Sequence, residues 1–105
     1  MIDGLIAGRL YGAPKEGEGK SGNVYTTAKV KVTGGNGDTF LCNVIAFDDD
    51  VQDALMALDD GDSVALSGSL TPKVYHEKNG DARPALDLVC HKVLTAYPSQ
   101  DAPHQ

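Results

Sequence analysis

DSVALSGSLTPKVYHEKNGDARPALDLVCHKVLTA, residues 62–96, is the stretch whose reading decides the fold. It forms two long strands joined by a polar tip at Glu77, Lys78, Asn79, Gly80 and Asp81. Val64, Leu66 and Leu70 share one parity, while Ser67, Ser69, Thr71, Lys73 and Tyr75 share the other, so one face enters a core and the opposite face stays wet. The wet face ends in a cation and an aromatic ring, groups suited to the phosphates and bases of an unpaired strand. Pro72 is the position at which a bulge would reset this parity.

Upstream of the hairpin, DDDVQDALMALDDGD (48–62) changes period. Val51, Ala54, Leu55 and Leu58 recur at helical spacing and predict an amphipathic helix of about three turns. Asp48, Asp49 and Asp50 supply its cap and first-turn negative charge, and Gly61 ends it. Three adjacent aspartates lack the ligand spacing and glycine turn of a calcium loop, so no metal is expected.

Phe40 to Phe47, FLCNVIAF, is apolar on both parities apart from Asn43. Such a strand is covered by core on one side and by a subunit, a helix or a base on the other. TGGNGDT (33–39) is a turn by composition. Val24 to Val32 alternates strictly, with Val24, Thr26, Ala28, Val30 and Val32 facing in and Tyr25, Thr27, Lys29 and Lys31 facing out. Lysines at such positions also discourage edge pairing.

GAPKEGEGKSGN (12–23) has no periodicity and reads as a flexible loop. Its Gly19-Lys20-Ser21 is not a phosphate loop, because Pro14 stands where that motif has glycine and a strand-like segment follows in place of a helix. Gly4 to Tyr11 forms a first strand with Arg9 outward. Gly8 and Gly68 fall inside strands, where a small barrel bends tightly. The resulting order is three strands, one helix, two strands. That is the order of the all-β OB-fold, a five-stranded Greek-key barrel with one short helix between strands 3 and 4.

At 105 residues the chain holds one domain, residues 1–97, followed by a polar tail, PSQDAPHQ (98–105), expected to be disordered. No apolar run reaches the roughly 20 residues that span a bilayer, and the N-terminus has no basic leader, so a cytoplasmic protein with no membrane partner is expected. Cys42 and Cys90 lie singly in apolar runs and read as buried free thiols. The net charge of −6 is regional. Residues 33–72 hold eight acids and no Lys or Arg, residues 1–32 carry +2, and residues 73–105 are neutral. His76, His91 and His104 have no nucleophile or carboxylate at catalytic spacing, so neither catalysis nor a cofactor is expected.

The sequence resembles the bacterial single-stranded DNA-binding protein family. The resemblance rests on GLIAGRL (4–10), AKVKVT (28–33), NVIAF (43–47), ALMALDDGDSVALSGSL (54–70) and KVYHEKNGDARPALDLVCHKV (73–93). It implies an OB-fold, a homo-oligomer (tetramer or dimer), and sequence-independent binding of single-stranded DNA in replication, recombination or repair, with replication proteins as further partners. By position, Phe47 matches a stacking phenylalanine, Tyr75 a common stacking tryptophan, Lys73 a basic hairpin position and Arg83 a basic residue of the returning strand. The chain departs from the family in having no Trp, in Leu41 at another usual stacking position, and in lacking the acidic tail tip that ends in phenylalanine.

The expected DNA contacts are therefore phosphates at Lys29, Lys31, Lys73, Lys78, Arg83 and Arg9, and bases at Tyr75 and Phe47, supplemented by Tyr25, Phe40 or Tyr11. Two further readings stand beside this one: a primosome-type accessory OB protein, and an OB domain that binds a basic protein partner through its acidic pole. The short tail and small size also suit a bacterial, phage or mobile-element protein.

Overall fold

The computed structural model describes residues 2–97. Among them, six strands and one helix run in the order β1 (Ile2–Leu10), β2 (Lys15–Glu18), β3 (Val24–Thr33), β4 (Thr39–Ala46), α1 (Asp49–Met56), β5 (Ser63–His76) and β6 (Ala82–Tyr97). The sheet order is β1-β5-β6-β4-β3-β2, and a pairing of β1 with β3 closes it. Only β4 and β6 pair in parallel, joined by the long connection through α1 and β5 that a parallel pair requires. The five strands expected from the sequence thus close an all-β Greek-key barrel with the helix between the third and fourth of them.

Alternation builds the core. Val30 of β3, Cys42 and Val44 of β4, Leu66 of β5, and Leu88 and Cys90 of β6 are fully buried on the inner face, and Leu55 of α1 plugs one end of the barrel. Both thiols are free and buried. Burial, then the nearby Asp87 charge and then Cys90 push the Cys42 thiol from 9.0 up to about 12. Its contribution to stability is therefore complete below pH 9 and is lost as the pH rises toward about 12, because the unfolded chain ionises first.

The segment 12–23 is not a plain loop. Lys15–Glu18 pairs with Val24–Thr27 in antiparallel register, closed by a turn in which the Gly19 N–H donates to the Asn23 carbonyl at 2.8 Å. Lys, Glu and Gly show no apolar parity, so the strand left no periodic signal. What covers it is a ring across the ladder: a Cβ on Gly17 would lie 2.6 Å from atoms of Tyr25.

Helix α1 spans two turns instead of the expected three, ending at Met56 with Ala57 as its C-cap. Leu58 is still buried, but it belongs to the turn that follows. Gly61, at φ 88°, therefore does not end the helix; it turns the chain into β5, with its N–H on the Leu10 carbonyl at 2.8 Å. Asp48 is the N-cap residue but makes no side-chain capping bond, and Asp49 and Asp50 occupy the first turn. In β5, Pro72 sits in continuous register opposite Leu86, and the irregularities lie between Ala65 and Leu66 and between Ser67 and Gly68. The outward parity of Lys73 and Tyr75 is consequently preserved.

One buried polar side chain ties the helix to the sheet. Gln52 Nε2 donates to the carbonyls of Val24 (3.0 Å) and Phe47 (2.9 Å), while its Oε1 accepts from the Thr26 hydroxyl at 3.0 Å. Gln52→Leu leaves the buried Thr26 hydroxyl and the part-buried carbonyls of Val24 and Phe47 without this partner. The expected loss is about 2 kcal/mol, read in a thermal melt as a fall in Tm of roughly 10 °C.

Candidate nucleic-acid interface

The outer faces of β3, β4, β6 and the middle of β5, Ser69 to Lys73, form one continuous surface whose rows follow from the register. Lys29 stands opposite Asn43, Asn43 beside Asp87, and Asp87 opposite Thr71. The next rows are Lys31, Leu41, Ala85 and Lys73 on one side, and Thr27, Ile45, Val89 and Ser69 on the other. Residues Tyr11 to Lys15 rise along one wall, enclosing a groove of about 710 Å³ lined by Tyr11, Lys15, Thr27, Lys29, Ile45 and Asp87 among others. The doubly apolar β4 is explained: Leu41 and Ile45 are half-buried as the apolar floor between basic and polar rows.

Rings and cations border this floor. Phe47 is 53% exposed and Tyr25 meets it edge to face, with centroids 6.3 Å apart and planes at 60°. Tyr11 is about half exposed, and Lys31 Nζ lies 4.3 Å from its ring centroid. The Tyr11 wall is held by the turn before β5: Asp60 Oδ1 accepts the Gly12 N–H at 2.7 Å, and Arg9 Nη1 donates to the Gly61 carbonyl at 3.2 Å. Part of the acidic block thus has a positioning task. Asp62 contributes likewise by accepting the Asp59 N–H at 2.8 Å.

The expected contact residues separate into groups. Lys29, Lys31, Tyr25, Phe47 and Lys73 share the groove face. Tyr75 and Arg83 continue that face along the hairpin as opposed residues, but the Arg83 Nε is paired with Glu77 at 2.6 Å. Lys78 is exposed at the hairpin tip. Phe40 is displaced from the groove: it shares the parity of Cys42, lies against Gly34, and lines a separate small apolar recess with Pro72, Val74, Pro84 and Leu86, which Lys73 and Ala85 also border. Arg9 lies in a separate recess with Ala7, Ser63 and Ala65, which Lys31 also lines. The tail expected at 98–105 lies outside the described residues.

Sequence reasoning passed over Asn43 and Asp87 as functional candidates. Each had a signal: Asn43 is the lone polar residue in FLCNVIAF, and Asp87 the lone charge in PALDLVC. Asp87 Oδ2 accepts from Lys73 Nζ at 3.0 Å, and its Oδ1 accepts from Asn43 Nδ2 at 3.3 Å. A polar cluster therefore interrupts the apolar floor at its centre.

No protein-family model matches the chain, and no curated protein is significantly similar to it in sequence. Solved structures are similar in fold. The small single-stranded DNA-binding protein of Streptomyces coelicolor aligns with a TM-score of 0.69 at 19% identity, over 88% of this chain and 91% of that one. The mitochondrial single-stranded DNA-binding protein Rim1 of S. cerevisiae gives 0.66 at 19%, over 92% and 96%. Plasmodium falciparum SSB, solved in complex with ssDNA, gives 0.61 at 15%, over 85% of each chain. At these identities the likeness is one of fold, and the chain is an OB-fold domain with the architecture of single-stranded DNA-binding proteins.

Proposed function

We propose that the protein is a non-enzymatic single-stranded DNA-binding module acting in replication, recombination or repair. The observation that carries this reading is the groove face, where an apolar floor is bordered by the exposed rings of Phe47 and Tyr11, the half-buried ring of Tyr25, and Lys15, Lys29 and Lys31. Bases stack on the rings as the strand crosses the sheet, the lysines meet its phosphates, and the groove holds the strand away from re-annealing. Tyr75, Lys73 and Lys78 extend the track along the hairpin, and Arg83 joins it where phosphate displaces Glu77. Duplex DNA presents its bases stacked and paired, with no free face to lay on Phe47. The protein acts in the cytoplasm.

Assembly as a homo-oligomer fits the first strand. Ile2 and Leu5 are 53% and 62% exposed, and β1 pairs with β3 only near Arg9 and Leu10, leaving its earlier residues open on that side.

Fluorescence anisotropy with labelled oligo-dT and a matched duplex, each at two salt concentrations, tests the reading. The expected result is preference for oligo-dT that weakens with salt. Lys29→Ala should reduce the slope of log K against log salt by about 0.7, the loss of one single-strand phosphate contact. Equal binding of duplex and oligo-dT, or no binding at low salt, contradicts it.

A further inference from the structure

A carboxylate at the centre of a surface that receives a polyanion needs a reason. Asp87 repels phosphate, so the strand segment above it has to present something other than its backbone. Its side chain is 42% exposed, on the groove floor, and its two oxygens are each held by a different donor, one from each neighbouring strand. In order stand Lys73 Nζ, Oδ2, Oδ1 and Asn43 Nδ2, separated by 3.0 Å at one end and 3.3 Å at the other. Each carboxylate oxygen keeps lone-pair capacity beyond the bond it already accepts.

From this arrangement we infer that Asp87, with Lys73 and Asn43, forms a subsite that reads the Watson–Crick edge of guanine in the bound strand. The inference rests on the groove being a single-stranded DNA site. A run of donor, acceptor, acceptor complements the guanine edge of O6, N1–H and N2–H: the N1–H and one N2–H donate to the two Asp87 oxygens, and a flanking donor reaches O6. The row is the same from either end, so Lys73 or Asn43 serves as that donor. Thymine places two carbonyls beside its one N–H and so sets a lone pair against a carboxylate oxygen, whereas cytosine makes two of the three contacts, its amine on Oδ1 and its N3 at Asn43. Adenine makes two of the three contacts, its amine on Oδ1 and its N1 at Asn43. Tyr11 lines the same groove and is the ring nearest in kind to a stacking partner for the base held there. The protein would then bind any unpaired strand through its rings and lysines while pausing on guanine.

The test compares labelled dT 15-mers carrying three isolated guanines with identical strands in which those positions are thymine, cytosine, adenine or inosine; isolated guanines avoid quadruplexes. The expected order is guanine tightest, by roughly tenfold over thymine as for a good bidentate base contact, with inosine, which lacks the N2 amine, falling between. Asp87→Asn, which replaces one acceptor by a donor and frees Lys73, should bring the guanine and thymine strands to equal affinity. Equal wild-type affinity for the guanine and thymine strands overturns the inference and leaves the binding function standing. A uniform gain for all strands in Asp87→Asn with the wild-type ratio intact also overturns it, since Asp87 would then only compete for Lys73. Failure of every strand to bind removes the single-stranded DNA reading itself, and the subsite with it.

Discussion

Gly68→Ala is expected to lower the unfolding midpoint by roughly 15 °C or more. The added Cβ would stand 2.0 Å from the Val89 carbonyl oxygen, 2.9 Å from its carbon and 3.0 Å from the His91 nitrogen, all backbone atoms of the neighbouring strand. None can rotate away. The strands must part at the register shift beside Gly68, in the longest ladder of the sheet, and the cost is at least about 3 kcal/mol. Gly4→Ala is the control within the same sheet, because its Cβ meets only the flexible Leu70 side chain at 3.0 Å. Thermal melts of the two variants check the contrast, and a Gly68→Ala midpoint within a few degrees of wild type would show that β5 and β6 are not held as closely as described.

Phe47→Ala is expected to weaken oligo-dT binding by roughly 5- to 150-fold, the value of one stacked base of about 1–3 kcal/mol. The ring is the better probe of the two that meet at this end of the groove. Tyr25 also covers Gly17, so its removal loosens the β2–β3 hairpin and confounds binding with local structure. Phe47 is 53% exposed and its anchoring is through its carbonyl, which accepts from Gln52 and survives the substitution. Stability should therefore change by about 1 kcal/mol or less. Anisotropy and a melt on the same sample separate the effects: a large fall in Tm with unchanged affinity would make Phe47 a packing residue.

The fold was legible because its main signals are periodic. The alternation of Val24 to Val32, the two parities of the β5–β6 hairpin and the helical spacing of Val51, Ala54 and Leu55 each name an element and its buried face. Gly8 and Gly68 read from the sequence as tight bends, and what the structure shows at them is close approach of a neighbouring strand: a Cβ on Gly8 would lie 2.1 Å from the Lys31 carbonyl oxygen. β2 was hidden because KEGE has no apolar parity, its order coming from a backbone ladder and the Tyr25 ring across it. The helix was overextended because Leu58 is buried whether or not the chain is still helical.

The site was legible by parity but not by grouping. Outward positions on single strands placed Lys29, Lys31, Lys73, Tyr75 and Tyr25 on the face that carries the candidate site. Which strands share a surface depends on β4 and β6 pairing in parallel, a contact between residues about 44 apart that no local pattern encodes. That pairing sets Asn43 beside Asp87 and so creates the polar centre of the groove. Phe40 was misplaced because a strand apolar on both parities does not say which side is core; Cys42 and Val44, fully buried, settle it.

The most direct test of the central claim is backbone amide shift mapping on addition of oligo-dT. The largest perturbations are expected on β3, β4 and β6 at Thr27, Lys29, Asn43, Ile45 and Asp87, at Phe47 just past β4, and at Tyr11 and Gly12 on the wall. Perturbations confined to α1 and residues 59–62, or to the recess around Phe40, Val74 and Pro84, would contradict it.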